Sequence, residues 1–138
     1  MLHRHLPIRA SLLLAALVFT APAWSADAVH KETVELTAGK AALSVKGKIK
    51  GYATAEYTLA GKAGQTLGVK LKTNQRSNYF NLRQAGQEDA LFIGSSGGNS
   101  YEATLPADGE YTVQVYLMRN AARRNAVASY SLEMRLRN

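Results

Sequence analysis

The sequence predicts an all-β fold: one antiparallel domain of about eight short strands, closed as a compact β-sandwich or a barrel-like sheet. Three observations carry this. Apolar and polar residues alternate with period two in segment after segment, glycine- and proline-bearing turns separate those segments, and no helical periodicity follows residue 28. Half-buried strands with one wet face belong to antiparallel sheets, and such sheets bury their apolar side by stacking or closing.

In chain order an export leader comes first. Met1 to Arg9 carries Arg4 and Arg9, and the run from Ser11 to Ala21 is almost wholly apolar. That is the order of a secretory signal peptide, with Ala26-Asp27-Ala28 supplying a small-x-small cleavage site after Ala28. The apolar run is short of the roughly 20 residues that span a bilayer, so no stable membrane insertion is expected. Residues 1–28 read as a removed signal peptide and 29–138 as one domain. Of 17 basic and 10 acidic residues, Arg4, Arg9 and Asp27 lie in the leader, leaving 15 against 9, a formal +6. With no cysteine, the chain has no disulfides, thiolate chemistry or thiolate metal sites. A basic exported protein favours acidic clefts, anionic polysaccharide or anionic lipid, and export argues against nucleic acid.

The strands follow in turn. Thr33 to Thr37 places Val34 and Leu36 two apart, and Leu43 and Val45 continue the pattern until Gly47. Ala53 to Leu59 sets Ala55, Tyr57 and Leu59 on one face, and Gly61 to Gln65 is a glycine turn. Leu67, Val69 and Leu71 alternate with Thr66, Lys70 and Lys72, after which Thr73 to Asn78 reads as a loop. Tyr79 to Leu82 and Ala90 to Ile93 are short strands, and Ser95 to Asn99 is a flexible connection. Tyr101, Ala103 and Leu105 lead into the turn Pro106-Ala107-Asp108-Gly109. The last two strands are the clearest, with Tyr111, Val113, Val115 and Leu117 in the first and Tyr130, Leu132, Met134 and Leu136 in the second. Tyr57, Tyr101, Tyr111 and Tyr130 fall on inward phases, where a ring packs and its hydroxyl reaches a polar edge. Tyr116 has the opposite parity and reads as an exposed contact aromatic.

Catalysis has little to stand on. Glu88-Asp89 is an adjacent pair in a turn, whereas acid–base work needs two differently tuned groups across a substrate. His30 is the one histidine beyond the leader, which rules out a histidine triad or a histidine-rich metal site. Gly94 to Gly98 lacks the lysine and helical context of a phosphate loop. No cofactor and no metal is therefore expected.

What remains is recognition, and its candidate is Leu117 to Ala128. Arg119, Asn120, Arg123, Arg124 and Asn125 stand there with no acid, interrupting what would otherwise be a close hairpin. Guanidinium is a planar fork that pairs bidentately with carboxylates. A loop bearing it enters a cleft that a flat sheet cannot, and glycosidases carry essential carboxylates in open grooves.

Several segments together resemble a known family. Tyr79-Phe80-Asn81, Ala90 to Asn99, Leu105 to Val113, and Val115 to Arg119 with Ala121 to Asn125 are similar to the periplasmic inhibitors of g-type (goose-type) lysozyme of Gram-negative bacteria. The likeness spans roughly Ala41 to Leu136 and is most specific in the arginine segment. It implies a compact β-sandwich in the periplasm that is not an enzyme and occludes the acidic active-site groove of g-type lysozyme. By position in the shared motif, Arg119 and Arg123 enter that groove and Tyr116 supports them; Arg124 remains at the rim, and Asn120 counts among the lysozyme-binding residues. Inhibitors of other lysozyme classes use a Ser-Gly-x-x-Tyr loop. Here Ser96-Gly97-Gly98-Asn99-Ser100-Tyr101 has one residue too many between Gly97 and Tyr101, so Ser96 and Tyr101 fit that pattern less well, and Tyr101 reads as a core anchor while Ser96 and Asn99 supply rim hydrogen bonds. The alternative is an exported carbohydrate- or cell-surface-binding β-sandwich, and a third reading is an envelope accessory module. The sequence leaves monomer or homodimer open.

Overall fold

Residues 28–138 are described by the structure, a computed structural model; the leader reading therefore lies outside the described residues apart from Ala28. Nine strands and two short helical turns follow in order among them. They are β1 (Val29–Thr33), β2 (Leu43–Lys50), β3 (Thr54–Gly61), β4 (Thr66–Thr73), β5 (Asn78–Gln84), β6 (Phe92–Ile93), α1 (Gly94–Gly97), β7 (Ser100–Thr104), β8 (Gly109–Leu117), α2 (Arg119–Arg123) and β9 (Val127–Arg137).

The strands form two sheets, ordered β1-β3-β8-β5-β6 and β2-β9-β4-β7. This is a sandwich, which decides between the two closures that the alternation alone allowed. Period two explains the core directly. Tyr57 and Leu59 of β3, Phe80 and Leu82 of β5, and Val113 and Val115 of β8 meet Leu67 and Val69 of β4 and Leu132 and Met134 of β9, all almost fully buried. Each such side chain contributes about 1.5 to 3 kcal/mol on burial.

Two tyrosines fasten the sandwich where a disulfide is absent. Tyr111, buried at the start of β8, donates its hydroxyl to the Ala107 carbonyl at 2.5 Å, tying strand to preceding turn as in a tyrosine corner. Tyr130 lies opposite Gly47 in register, and a Cβ at Gly47 would come within 2.3 Å of the Tyr130 hydroxyl. Glycine thus makes room for the ring and lets that hydroxyl reach Tyr57 in the other sheet at 2.7 Å. Pairing with β9 continues past this point, so β2 does not stop at Gly47, as its composition suggests, but runs on to Lys50 opposite Val127.

Other expectations change as well. The first strand lies at Val29–Thr33, before the expected Thr33 to Thr37, and pairs parallel with β3. Val34 and Leu36 owe their spacing to packing as the chain leaves the sheet: Val34 is buried and donates its N–H to Thr58 O at 2.9 Å. The Ala90 to Ile93 strand shrinks to Phe92–Ile93, and the connection after it forms α1 where a flexible loop was expected. Gly94 is needed there because a Cβ would collide with the Phe80 carbonyl at 2.3 Å. Most consequential, β8 and β9 lie in different sheets. The arginine segment does not interrupt a hairpin; it is the corner by which the chain crosses from one sheet to the other.

Candidate functional site

The corner is built from its smallest side chains. Ala121 and Ala122, 0% and 1% exposed, turn the inner side of α2 onto the core. Arg119, Asn120 and Arg123 occupy the outer side and are exposed, as is Arg124 just beyond. One turn of helix is marginal alone, so tertiary contacts must hold it. Asn125 ends it with φ of +53°, the left-handed conformation that asparagine tolerates better than other side chains. The backbone N–H groups of Arg124 and Asn125 then reach the Ala121 and Ala122 carbonyls at 3.1 and 3.0 Å.

Neighbouring turns clamp both ends of the corner. Met118 donates its N–H to Ser77 O in the β4–β5 loop at 2.9 Å, and Gly51 in the β2–β3 turn donates to Ala126 O at 2.9 Å. Gly51 has φ of +61°, and any Cβ there would lie 3.0 Å from Asn125 Oδ1. A rigid frame therefore carries the guanidinium groups. Among the described residues, the ion pairs are His30 with Glu32 and Arg137 with Glu102, so Arg119, Arg123 and Arg124 have no carboxylate partner. They are cations held without an internal anion, available to an external one.

The same clamp brings in residues the sequence reading did not select. Tyr52, next to Gly51 and 47% exposed, and Met118, 39% exposed, are large apolar groups at this end of the sandwich, and exposed Arg76 precedes Ser77. A tyrosine beside a turn glycine was the signal for Tyr52, but its partnership with α2 depends on the topology. Asn120 is partly occupied, since its Oδ1 accepts the Ala121 N–H at 2.8 Å. Tyr116 sits half-buried on the outer face of its sheet, opposite Tyr79 in register, with its carbonyl accepting from Asn78 Nδ2 at 2.9 Å.

Ser96, Asn99 and Tyr101 are placed elsewhere. They belong to the β6–α1–β7 junction along one side of the sandwich, where Phe92 stacks between Phe80 at 5.2 Å and Tyr101 at 5.1 Å. Tyr101 packs against the core there, and Asn99 gives its backbone carbonyl to Leu71 N–H at 2.8 Å. Ser96 is exposed on α1. The corner thus unites Arg119, Asn120, Arg123 and Arg124, while these three stand at the β6–α1–β7 junction, which packs beside Tyr79, the register partner of Tyr116.

A surface cavity of about 540 Å³ lies at the opposite end, lined by Leu36, Gly61, Asp108 and Leu136. The cationic corner projects and has the shape of an insert. Among the described residues no group of three or more histidine or carboxylate side chains is placed to hold a metal ion, and no helix is long and apolar enough to cross a membrane.

No family model matches the chain. It is 31% identical over 132 residues to the inhibitor of g-type lysozyme of Escherichia coli (strain K12), covering 94% of this chain and 95% of that protein. Its structure is similar to the crystal structure of the periplasmic inhibitor of g-type lysozyme from Aeromonas hydrophila, with TM-score 0.71, 35% identity, and 81% and 100% of the two chains covered. It is also similar to the Salmonella Typhimurium inhibitor, with TM-score 0.61, 26% identity, and 78% and 98% covered.

Proposed function

Since this chain belongs to the family of periplasmic inhibitors of g-type lysozyme, we propose that it inhibits that enzyme by seating its cationic corner in the active-site groove. It acts in the periplasm by binding, and turns nothing over. The observation that carries the proposed mode is the rigid presentation of Arg119 and Arg123 on α2 without an internal carboxylate. A hydrolase that cleaves glycosidic bonds keeps carboxylates in an open groove, and two guanidinium groups carried on a clamped backbone complement them. Desolvating both partners offsets part of the Coulomb gain. The clamped backbone therefore matters, because it leaves only side-chain freedom to be lost on binding. Tyr52 and Met118 supply apolar area beside the charges, while Arg124 and Asn120 serve the rim; Tyr116 supports from the adjoining sheet face.

Inhibition of purified g-type lysozyme by the wild type and by an Arg119→Ala/Arg123→Ala variant tests this. Each charge-assisted hydrogen bond lost costs about 1.5 to 3 kcal/mol, so the double variant should inhibit at least about a hundredfold less well. Equal inhibition by a folded double variant overturns the contact, and no inhibition by the wild type overturns the function. We further propose that residues 1–28 are removed on export. The intact mass of periplasmic protein should then correspond to a chain starting at Val29, and retention of the leader would refute this.

A further inference from the structure

The net charge of the domain is unevenly divided between its faces. On the β2-β9-β4-β7 sheet, strand parity turns Lys46, Lys48 and Lys50 of β2 outward, and likewise Lys70 and Lys72 of β4. Arg135 and Arg137 of β9 join them, against Glu133 of β9 and Glu102 of β7. Seven basic and two acidic groups give this one face +5, nearly all of the +6 carried by residues 29–138.

The acids are confined to one half of the face. Glu102 pairs with Arg137, and Glu133 lies opposite Lys70 in register. In the half next to α2, Ser131 lies between Lys46 on one side and Lys72 on the other, and Ser129 is opposite Lys48. Ammonium groups thus surround two hydroxyls with no carboxylate among them, spaced about 6.6 to 6.8 Å along each strand.

We propose that this face docks the protein onto an anionic membrane surface by contact with lipid phosphates. The face is a broad four-stranded sheet surface, which sets its charges against an extended array rather than a single anion. It bears no aromatic side chain, so it lacks the stacking platform that sugars and single-stranded nucleic acids need. Lysine acts on phosphate as a point charge and needs no fixed fork geometry. Clustered basic residues near an anionic leaflet each contribute to attraction that fades within a Debye length. Lys50 is opposite Val127, where β9 leaves the α2 corner, so docking would leave Arg119 and Arg123 at the rim of the covered face. The periplasmic location proposed above supplies membrane surfaces, but docking is measured without lysozyme, so the two readings fail separately.

The test is co-sedimentation of the exported protein with vesicles of phosphatidylcholine alone, or with about a third phosphatidylglycerol, at about 0.05 and 0.5 M salt. A Lys46→Gln/Lys48→Gln/Lys72→Gln variant is compared with Lys31→Gln/Lys40→Gln/Lys62→Gln, which removes the same charge from exposed positions elsewhere. Binding is expected to the anionic vesicles at low salt only, weakened at least about tenfold by the first variant and no more than about threefold by the second. Three results overturn the proposal: no vesicle binding by the wild type, equal weakening by both variants, or retention on heparin with none on vesicles.

Discussion

The hydroxyls of Tyr57 in β3 and Tyr130 in β9 meet at 2.7 Å inside the sandwich, a polar link between sheets in a protein that has no disulfide. Removing one hydroxyl leaves the other buried with its partner gone. Tyr57→Phe or Tyr130→Phe should each cost about 1 to 3 kcal/mol in urea denaturation, whereas the double variant should cost less than the sum. Additive losses would show that the two groups do not act as a pair.

Burial pushes the Tyr57 hydroxyl above its ordinary value; the hydrogen bond from Tyr130 opposes this and Glu32 adds to it. Burial and the bond to Tyr57 raise Tyr130 as well. The unfolded chain releases these protons near pH 10 while the folded chain keeps them, so stability is fully present below about pH 10 and is lost as pH rises further. Denaturation midpoints from pH 8 to 11 should fall more steeply for the wild type than for the Tyr57→Phe/Tyr130→Phe variant. Parallel profiles would refute the assignment.

Ala122 fills the space beneath α2. Ala122→Leu should overpack it, lowering stability by about 1 to 3 kcal/mol and displacing Arg119 and Arg123, so that inhibition falls even where the protein remains folded. Unchanged stability and unchanged inhibition would show that α2 is not packed as described.

Asn125 holds a left-handed backbone. Asn125→Gly should change thermal stability little, while Asn125→Val should cost about 1 to 2 kcal/mol. Equal melting temperatures for the two variants would remove the strain argument.

Tyr52 and Ser96 distinguish the α2 corner from the β6–α1–β7 junction. Tyr52→Ala should weaken inhibition of g-type lysozyme about tenfold or more, as a contact aromatic does, and Ser96→Ala should leave it unchanged. The reverse pattern would move the contact to the β6–α1–β7 edge.

Much of the sandwich was legible because period two is a one-dimensional signal. Tyr111 to Leu117 and Tyr130 to Leu136 read correctly, and so did the inward phases of Tyr57, Tyr111 and Tyr130. Which sheet each strand joins is a long-range property, however, and alternation carries none of it. For that reason β8 and β9 looked like arms of a hairpin, and the turn that carries Tyr52, 67 residues before Arg119 in sequence, was invisible as a clamp on the same corner. Two alanines and an asparagine are too little for a helical period, so α2 passed for a loop. The arginines stood out only as charge without acid.

The crossing at α2 also limits how this corner can be copied. Its shape is imposed by Ser77 on one side and Gly51 on the other, so the arginine segment is a keystone whose curvature belongs to the surrounding arch. A linear peptide of residues 117–128 would carry the same guanidinium groups but spread them over many conformers. A useful mimetic would have to reproduce the two turns that flank it, while evolution is free to exchange the outward side chains provided the length of the span stays fixed.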